Sequence, residues 1–427
     1  MKKILKTVIS FIIVSAVMLT AVCVSGFAAP DDIFTYEIIG DGVKIKRCNS
    51  SVSGKLSVPS EIDGLPVRSI DDFAFCWCAG ITSVTIPDTV TDIGREAFFG
   101  CSSLSDIILP DSVNIGYDAF INTGYYNNES NWDNHVLYIG KHIVSAKRGD
   151  EVLSGDYTVK NGTKTIAYGA FSRCFGLTGV SIPDSVTNIG EMAFAHCTAL
   201  KRITVDVNNK NYSNDKHGVL YNKDKTQLLQ FPAGSELDSF TIPDGLTKIG
   251  EYSFVVCEGL DEIVFPESVT EISSSAFEGC TALTKVTLPE SLKSVKSCAF
   301  IGCPELKSVK IPSCVTEIGA YAFGYAYEDE KIADFTVYCC ADSEGELYAV
   351  SNGFNYETYT VEIILGDVNS DSKINSFDSL LTLQSATGLV TLAPIQLKCA
   401  DVTGDGDVNS SDALKILQYA TGLITSF

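Results

Sequence analysis

Between residues 58 and 323 the apolar positions return at a fixed interval. In "LTKVTLPESLKSVKSCAFIGCPE" (283–305) the opening Leu-x-x-Val-x-Leu alternates with period two, which buries one face of a short strand. A proline follows at 87, 110, 183, 243, 266, 289 and 312, and it ends the strand because it has no ladder N–H to donate. Val-Thr-x-Ile-Gly then predicts a second short extended piece, and Ala-Phe a compact, helix-like turn with its ring inward. Adjacent copies are 23 residues apart, as from Leu260 to Leu283. No copy encloses a core alone, so the copies must stack as a solenoid. Stacking aligns Phe75, Phe98, Phe120, Phe171, Phe194, Phe254, Phe277, Phe300 and Phe323 as one column. Two stretches, 125–165 and 205–238, lengthen single copies and read as hairpins on one edge.

The pattern changes at Gly366. "GDVNSDSKINSFDS" is followed 34 residues on by "DVTGDGDVNSSD", and the segments behind them also align, "SLLTLQSATGLV" with "ALKILQYATGLI". Each half predicts a loop and a helix. Leu380 with Leu383, and Leu414 with Leu417, share a helix face at i, i+3. With Ala386, Leu389, Ala420 and Leu423 they predict a mutual core between the two helices.

The loops carry the clearest chemistry in the chain. Calcium takes six to eight hard oxygens, and helix-flanked loops supply them at positions 1, 3, 5, 7, 9 and 12. In the first loop these are Asp367, Asn369, Asp371, the Lys373 carbonyl, Asn375 through water, and Asp378. In the second they are Asp401, Thr403, Asp405, the Asp407 carbonyl, Asn409 and Asp412. Because the spacing occurs twice, it points to two calcium ions, one per loop. Three departures from a sensor loop stand out. Position 12 is Asp, Thr403 is a weaker donor at position 3, and Ser372 stands where Gly406 eases the second turn.

Composition adds limits. A formal net charge of −22 over 427 residues excludes nucleic acid and anionic lipid as partners for the surface as a whole. Lys2, Lys3 and Lys6 precede an apolar run to Val24, with Gly26 and Ala28 placed for a signal-peptidase cut after Ala28. The reading is a secreted chain with no membrane insertion once the leader is removed; an uncleaved anchor is the alternative. Cys78, Cys101, Cys174, Cys197, Cys257, Cys280 and Cys303 share one place in the repeat, which suits a column of small buried thiols. Bridges between neighbouring rungs are the other reading. The exposed strand positions, among them Thr82, Thr178, Arg202, Glu262, Lys285 and Lys310, are polar and of mixed sign. They suit a solvated sheet face or a protein partner. Aromatic residues gather instead at Tyr125, Tyr126, Trp132 and Tyr138, where packing of the insertion outweighs ligand contact. His135, His142, His196 and His217 show no metal-ligand spacing and no nucleophile signature, so no catalytic residue is assigned.

The repeats resemble the BspA-like class of bacterial leucine-rich repeats over residues 34–360, often found on surface proteins. "VPSEIDGLPVRSIDDFAF" (58–75) resembles its opening copy and "FTVYCCADSEGELYAVSNGFNYETY" (335–359) its closing element, a strand and a helix. The duplicated tail resembles a dockerin, the module that plugs into cohesin domains of cellulosome scaffoldins. The predicted organisation is a signal peptide over 1–28, a leucine-rich-repeat solenoid with caps over 29–365, and a small all-α calcium-binding dockerin over 366–427. The resemblance implies that loop positions 10 and 11 read the cohesin: Ser376 and Phe377 in one half, Ser410 and Ser411 in the other. Dockerins usually carry hydrolases, so the resemblance implies a link to polysaccharide degradation; with a leader and no catalytic signature, the reading is a secreted, non-catalytic subunit whose repeats bind a further protein or carbohydrate. The alternatives are a hydrolase with an unrecognised active site and a surface adhesin.

Overall fold

The computed structural model describes residues 26–27, 33–149, 153–327, 330–360, 363–369, 371 and 373–427. The leader's basic and apolar segments, its cut after Ala28, and Ser372 lie outside these residues. The chain divides into two compact units. The first holds residues 1–146, 163–170 and 188–190, the second 147–162, 171–187 and 191–427.

The first unit opens with an antiparallel hairpin, Phe34–Ile39 against Gly42–Cys48. Its second strand pairs in parallel with Leu65–Ile70, and the second extended pieces Asp92–Ile93 and Asn114–Ile115 follow. The repeat strands proper form another parallel sheet, with Leu56, Val84 and Ile107 in one buried column. Phe75 stacks on Phe98 at 4.6 Å and Phe98 on Phe120 at 5.2 Å, each offset pair contributing about 0.5–1.5 kcal/mol beyond burial. The first insertion is a hairpin, Val136–Ile139 with His142–Ala146, which joins Thr165–Ile166 in parallel. Its aromatic residues are structural: Trp132 Nε1 donates to the Tyr126 carbonyl at 2.8 Å, and Tyr125 Oη to that of Tyr138 at 2.9 Å.

The second unit repeats the plan. Phe240, Ile263 and Val286 align across one parallel sheet, and Ile249, Ile272, Val295 and Ile318 across the other. Rings of Phe254, Phe277, Phe300 and Phe323 stack at 4.6, 4.8 and 4.9 Å, and Phe231 of the second insertion extends that column at 5.0 Å. Helix α1, Glu344–Asn352, closes the stack. Ser343 caps its start and Gly353, at φ +65, ends it. Tyr348 fastens it to the last rung, donating to the Phe323 carbonyl at 2.7 Å and accepting from the Phe323 N–H at 2.9 Å.

The helix-like turn is built without a helix. The turns from Phe75 to Phe300 place left-handed residues two before and two after the Phe, as in Phe73 and Trp77, Glu96 and Gly100, Ser275 and Gly279, Cys298 and Gly302. The freed backbone groups pair with the next rung instead, Phe254 N with Ala276 O at 2.7 Å and Phe277 N with Ala299 O at 2.8 Å. Close approach explains the glycine of Val-Thr-x-Ile-Gly. A Cβ at Gly94 would lie 2.5 Å from the Asp72 nitrogen, and one at Gly250 2.6 Å from the Leu228 carbonyl oxygen.

The fourteen described cysteines are free thiols. Cys101, Cys197, Cys280 and Cys303 each donate to the Phe carbonyl of the rung before, at 3.0–3.2 Å. Burial pushes Cys101 and Cys174 up to about 12, so these thiols stay protonated.

Candidate metal and docking site

The tail folds as helix α2, Ser376–Ala386, helix α3, Pro394–Ala400, and helix α4, Ser410–Ala420. Helix α3, opened by Pro394 at its first turn, was not expected from the duplication. Buried Gln396 ties it to the first loop, its Oε1 accepting from Ala393 N at 3.0 Å and its Nε2 donating to Val368 O at 2.9 Å.

The predicted mutual leucine core is not what the structure holds. Leu380 is 46% exposed and Leu414 56%, and Leu383, Leu389, Leu417 and Leu423 are exposed with them. The buried cluster is Val368, Leu392, Ala400, Val402 and Ile416, with Ile374, Leu381, Val408 and Phe427 packed against it. The reason lies in the face that the loops impose. Asp378 and Asp412 are fully buried at the helix starts, which turns Thr382 and Ile416, one helical turn on, inward. Helices α2 and α4 meet through small residues, Ser379 Oγ donating to the Ala413 carbonyl at 2.7 Å. The leucines at 380, 383, 414 and 417 are thereby left on the surface of both halves.

The two loops share one framework. Asn375 and Asn409 cap α2 and α4, their Oδ1 atoms accepting from Phe377 N and Ser411 N at 2.8 Å. Asp378 returns the capping box, its Oδ2 accepting from Asn375 N at 2.9 Å while Oδ1 accepts from Val368 N and Asn369 N at 2.9 and 3.1 Å. Asp412 does the same, with Asn409 N and Thr403 N both at 3.0 Å. Position 12 therefore shapes the loop with one set of lone pairs and retains others for an ion.

Among the described residues, the cluster of carboxylates close enough to hold a metal is in the second loop. Asp401, Asp405 and Asp412 each offer an oxygen within 4.8 Å of the other two. Oxygens bound to one calcium at about 2.4 Å can be no more than about 4.8 Å apart, so the spacing fits a single ion. The donors are hard oxygens without nitrogen or sulfur, the set that suits calcium or magnesium over softer metals. Asp401 also accepts from Gly404 N at 2.8 Å and Gly406 N at 3.0 Å, which curls the loop around the carboxylate at its first position. Thr403 Oγ1 lies 3.4 Å from Asp401 Oδ1, and Asp407 N is held by Asp405 Oδ1 at 2.9 Å.

In the first loop Asp371 N is held by Asp367 Oδ1 and Asn369 Oδ1, both at 3.1 Å. Asp371 Oδ1 accepts from Lys373 N at 2.8 Å, and Oδ2 from the Asn369 amide at 2.9 Å. Asp367, Asn369 and Asp371 are thus joined by hydrogen bonds along the first loop. Ser376, Phe377, Ser410 and Ser411 open the two helices and are exposed, Phe377 by 53%.

On the repeat face the polar strand residues bind one another across rungs. Ser83 donates to Asp106 at 3.0 Å, Thr178 to Asp156 at 2.8 Å, and Lys285 pairs with Glu262. No helix among the described residues is long and apolar enough to cross a membrane.

Two known families match the two parts of this chain. The BspA type leucine rich repeat region matches residues 67–148, 155–232 and 229–337, in six copies, and the dockerin type I domain matches residues 365–419. Among solved structures, a leucine rich cell surface protein of Faecalibacterium prausnitzii is 25% identical, covering 79% of this chain and 96% of its own at a TM-score of 0.42. The pneumococcal vaccine antigen PcpA is 18% identical, over 77% of this chain and 98% of its own, at 0.38. A leucine-rich repeat protein of Bacteroides ovatus is 20% identical over 77% and 99%, at 0.25. No curated protein matches. Both matched modules are non-catalytic in kind; the dockerin implies docking to a cohesin, and the repeats imply protein interaction. The chain belongs to the BspA-type leucine-rich repeat family and carries a C-terminal type I dockerin.

Proposed function

We propose that this chain is a secreted, non-catalytic subunit of a cellulosome-like assembly. Its dockerin plugs into a scaffoldin cohesin, two calcium ions fold the dockerin, one per loop, and the repeats present a surface to a further partner during polysaccharide degradation. The observation that carries this reading is the duplicated surface of the tail. Phe377, Leu380 and Leu383 stand exposed on α2, and Leu414 and Leu417 at the matching places on α4. Leucines left about half exposed in matched rows on so small a domain suit a partner that covers them. Asp367, Asn369, Asp371, Asn375 and Asp378, with the Lys373 carbonyl, would hold one ion. Asp401, Thr403, Asp405, Asn409 and Asp412, with the Asp407 carbonyl, would hold the other. The calcium supplies charge neutralisation among carboxylates that otherwise repel one another; the chain's own residues shape the loops and aim the helices.

Phe377 against Ser411 makes the first face the more apolar, so docking through α2 should be the tighter mode. Calorimetric titration of the full chain against a panel of scaffoldin cohesins in calcium tests the proposal. Binding to at least one cohesin, weakened most by Phe377→Ser, is the expected result. Silence across the panel, or release of sugars from plant polysaccharides by the purified chain, would overturn it.

A further inference from the structure

The second insertion breaks the regular strand ladder. Strand Arg202–Val205 ends one parallel sheet and strand Ser239–Thr241 begins the next. The edge that should receive the following rung is taken by the insertion itself: Ile203 N donates to Gly218 O at 3.0 Å, and Val205 N to Asn214 Oδ1 at 2.8 Å. An open cleft of about 740 Å³ is left there, bordered by Lys216, His217, Lys225, Phe240 and Thr241. That volume is within the usual range for small-ligand sites.

The cations beside the cleft differ from most of those on this unit's strand face. Arg202 is tied to Asp156, Lys201 to Glu236 at 2.7 Å, Lys285 to Glu262, and Lys310 to Glu290 at 3.4 Å, while Lys307 bonds the Pro304 carbonyl. Among the described residues Lys216 has no ion-pair partner, and Lys225 Nζ rests 5.6 Å from the Tyr221 ring centre without an acid. The carboxylate in the lining, Asp215, is committed internally. Its Oδ1 accepts from His217 N and Val219 N at 2.9 and 3.0 Å, and its Oδ2 from the Tyr221 hydroxyl at 3.0 Å. In a chain of net charge −22, two ammonium groups without an acidic partner stand against the single Asp215 carboxylate in this lining, which marks a place for an anion. The rest of the lining decides the kind of anion. Phe240 is buried in the floor with the His217 ring edge-on at 6.3 Å, so no deep apolar pocket is open to a protein side chain. The Thr241 hydroxyl and the imidazole suit a ligand rich in hydroxyl groups.

We propose that this cleft binds an acidic saccharide, a short sugar chain bearing carboxylates. Lys216 and Lys225 take the carboxylates, while His217 and Thr241 meet the hydroxyls. The inference does not depend on the docking reading, and failure of cohesin binding leaves it standing. Calorimetric titration of the full chain with trigalacturonate and with its neutral counterpart, galactotriose, tests it. Trigalacturonate should bind, and galactotriose at least tenfold more weakly. The double variant Lys216→Ala/Lys225→Ala should lose at least tenfold in trigalacturonate affinity. Both side chains are exposed, so the fold is unaffected. Lys285→Ala, which removes a paired cation of the same face, should bind as the parent does. The proposal is overturned if trigalacturonate does not bind, if the double variant binds it unchanged, or if only an acidic peptide such as triglutamate binds.

Discussion

Replacing His142 by leucine should remove a pH dependence that the first unit carries in one buried ring. The imidazole is fully buried; its Nε2 donates to the Pro110 carbonyl at 2.9 Å, and its Nδ1 has no partner. Burial holds its pKa below the ordinary 6.5, and Lys141 acts in the same direction; the Pro110 carbonyl and Asp111 oppose them in part. Above pH 6.5 the ring is neutral in both folded and unfolded chains and contributes no slope. Below it the unfolded chain takes up a proton that the folded one refuses, so stability falls as pH falls. The slope approaches about 1.4 kcal/mol per pH unit until the folded value is reached. His142→Leu abolishes that slope and adds a constant cost of about 1–3 kcal/mol for the Pro110 carbonyl left without its donor. The assay is native-state amide exchange at Ile143 and its neighbours, from pH 7.5 to 5, which reads this rung without assuming that the whole chain unfolds as one. The parent-minus-variant difference should be flat above pH 6.5 and fall below it. Equal slopes in parent and variant, or a parent that gains stability on acidification relative to the variant, would refute the reasoning.

Phe277→Ala removes a fully buried ring stacked on both sides, and should cost about 3–5 kcal/mol, read as lost exchange protection centred on the Phe254 and Phe300 rungs; a loss below 1 kcal/mol would contradict the stacked column. In the tail, Ile416→Ala should destabilise by about 2–4 kcal/mol and Leu417→Ala by no more than about 0.5 kcal/mol, measured by urea unfolding in calcium. The reverse order would restore the leucine core. Alkylation of the native chain followed by mass spectrometry should label the half-buried Cys76 and Cys298 first and the buried column only after unfolding. Rapid labelling of Cys197 or Cys303 would count against the packed column.

The repeat was legible because its signal is redundant: Leu-x-x-Val-x-Ile, the proline and the Phe recur together, and each alone fixes the register. The turn was less legible. Ala-Phe has helical propensity, but left-handed residues on both sides of the Phe are visible only in part, where Gly100, Gly279 and Gly302 occupy the second position; Trp77 and Val256 hide it. In the tail the Asp/Asn spacing that brings Asp401, Asp405 and Asp412 together was clear while the helix faces were not. Leucines at i, i+3 read as core, yet the buried Asp378 and Asp412 rotate each helix so that Thr382 and Ile416 point inward. Helix α3 carries only Pro394 as a signal, and Gln396, which anchors it, looks like any surface glutamine in the sequence. The insertion's cleft had no local signature, because it arises from which strand edge the Gly218 loop occupies.

The central claim is a dockerin whose calcium loops aim its helices at a cohesin. The most direct test is one titration, full chain against a recognised cohesin, run in calcium and again in EDTA. The account predicts binding in calcium that disappears in EDTA, with the amide-exchange protection of the repeats unchanged between the two. Binding of equal strength in EDTA would contradict it.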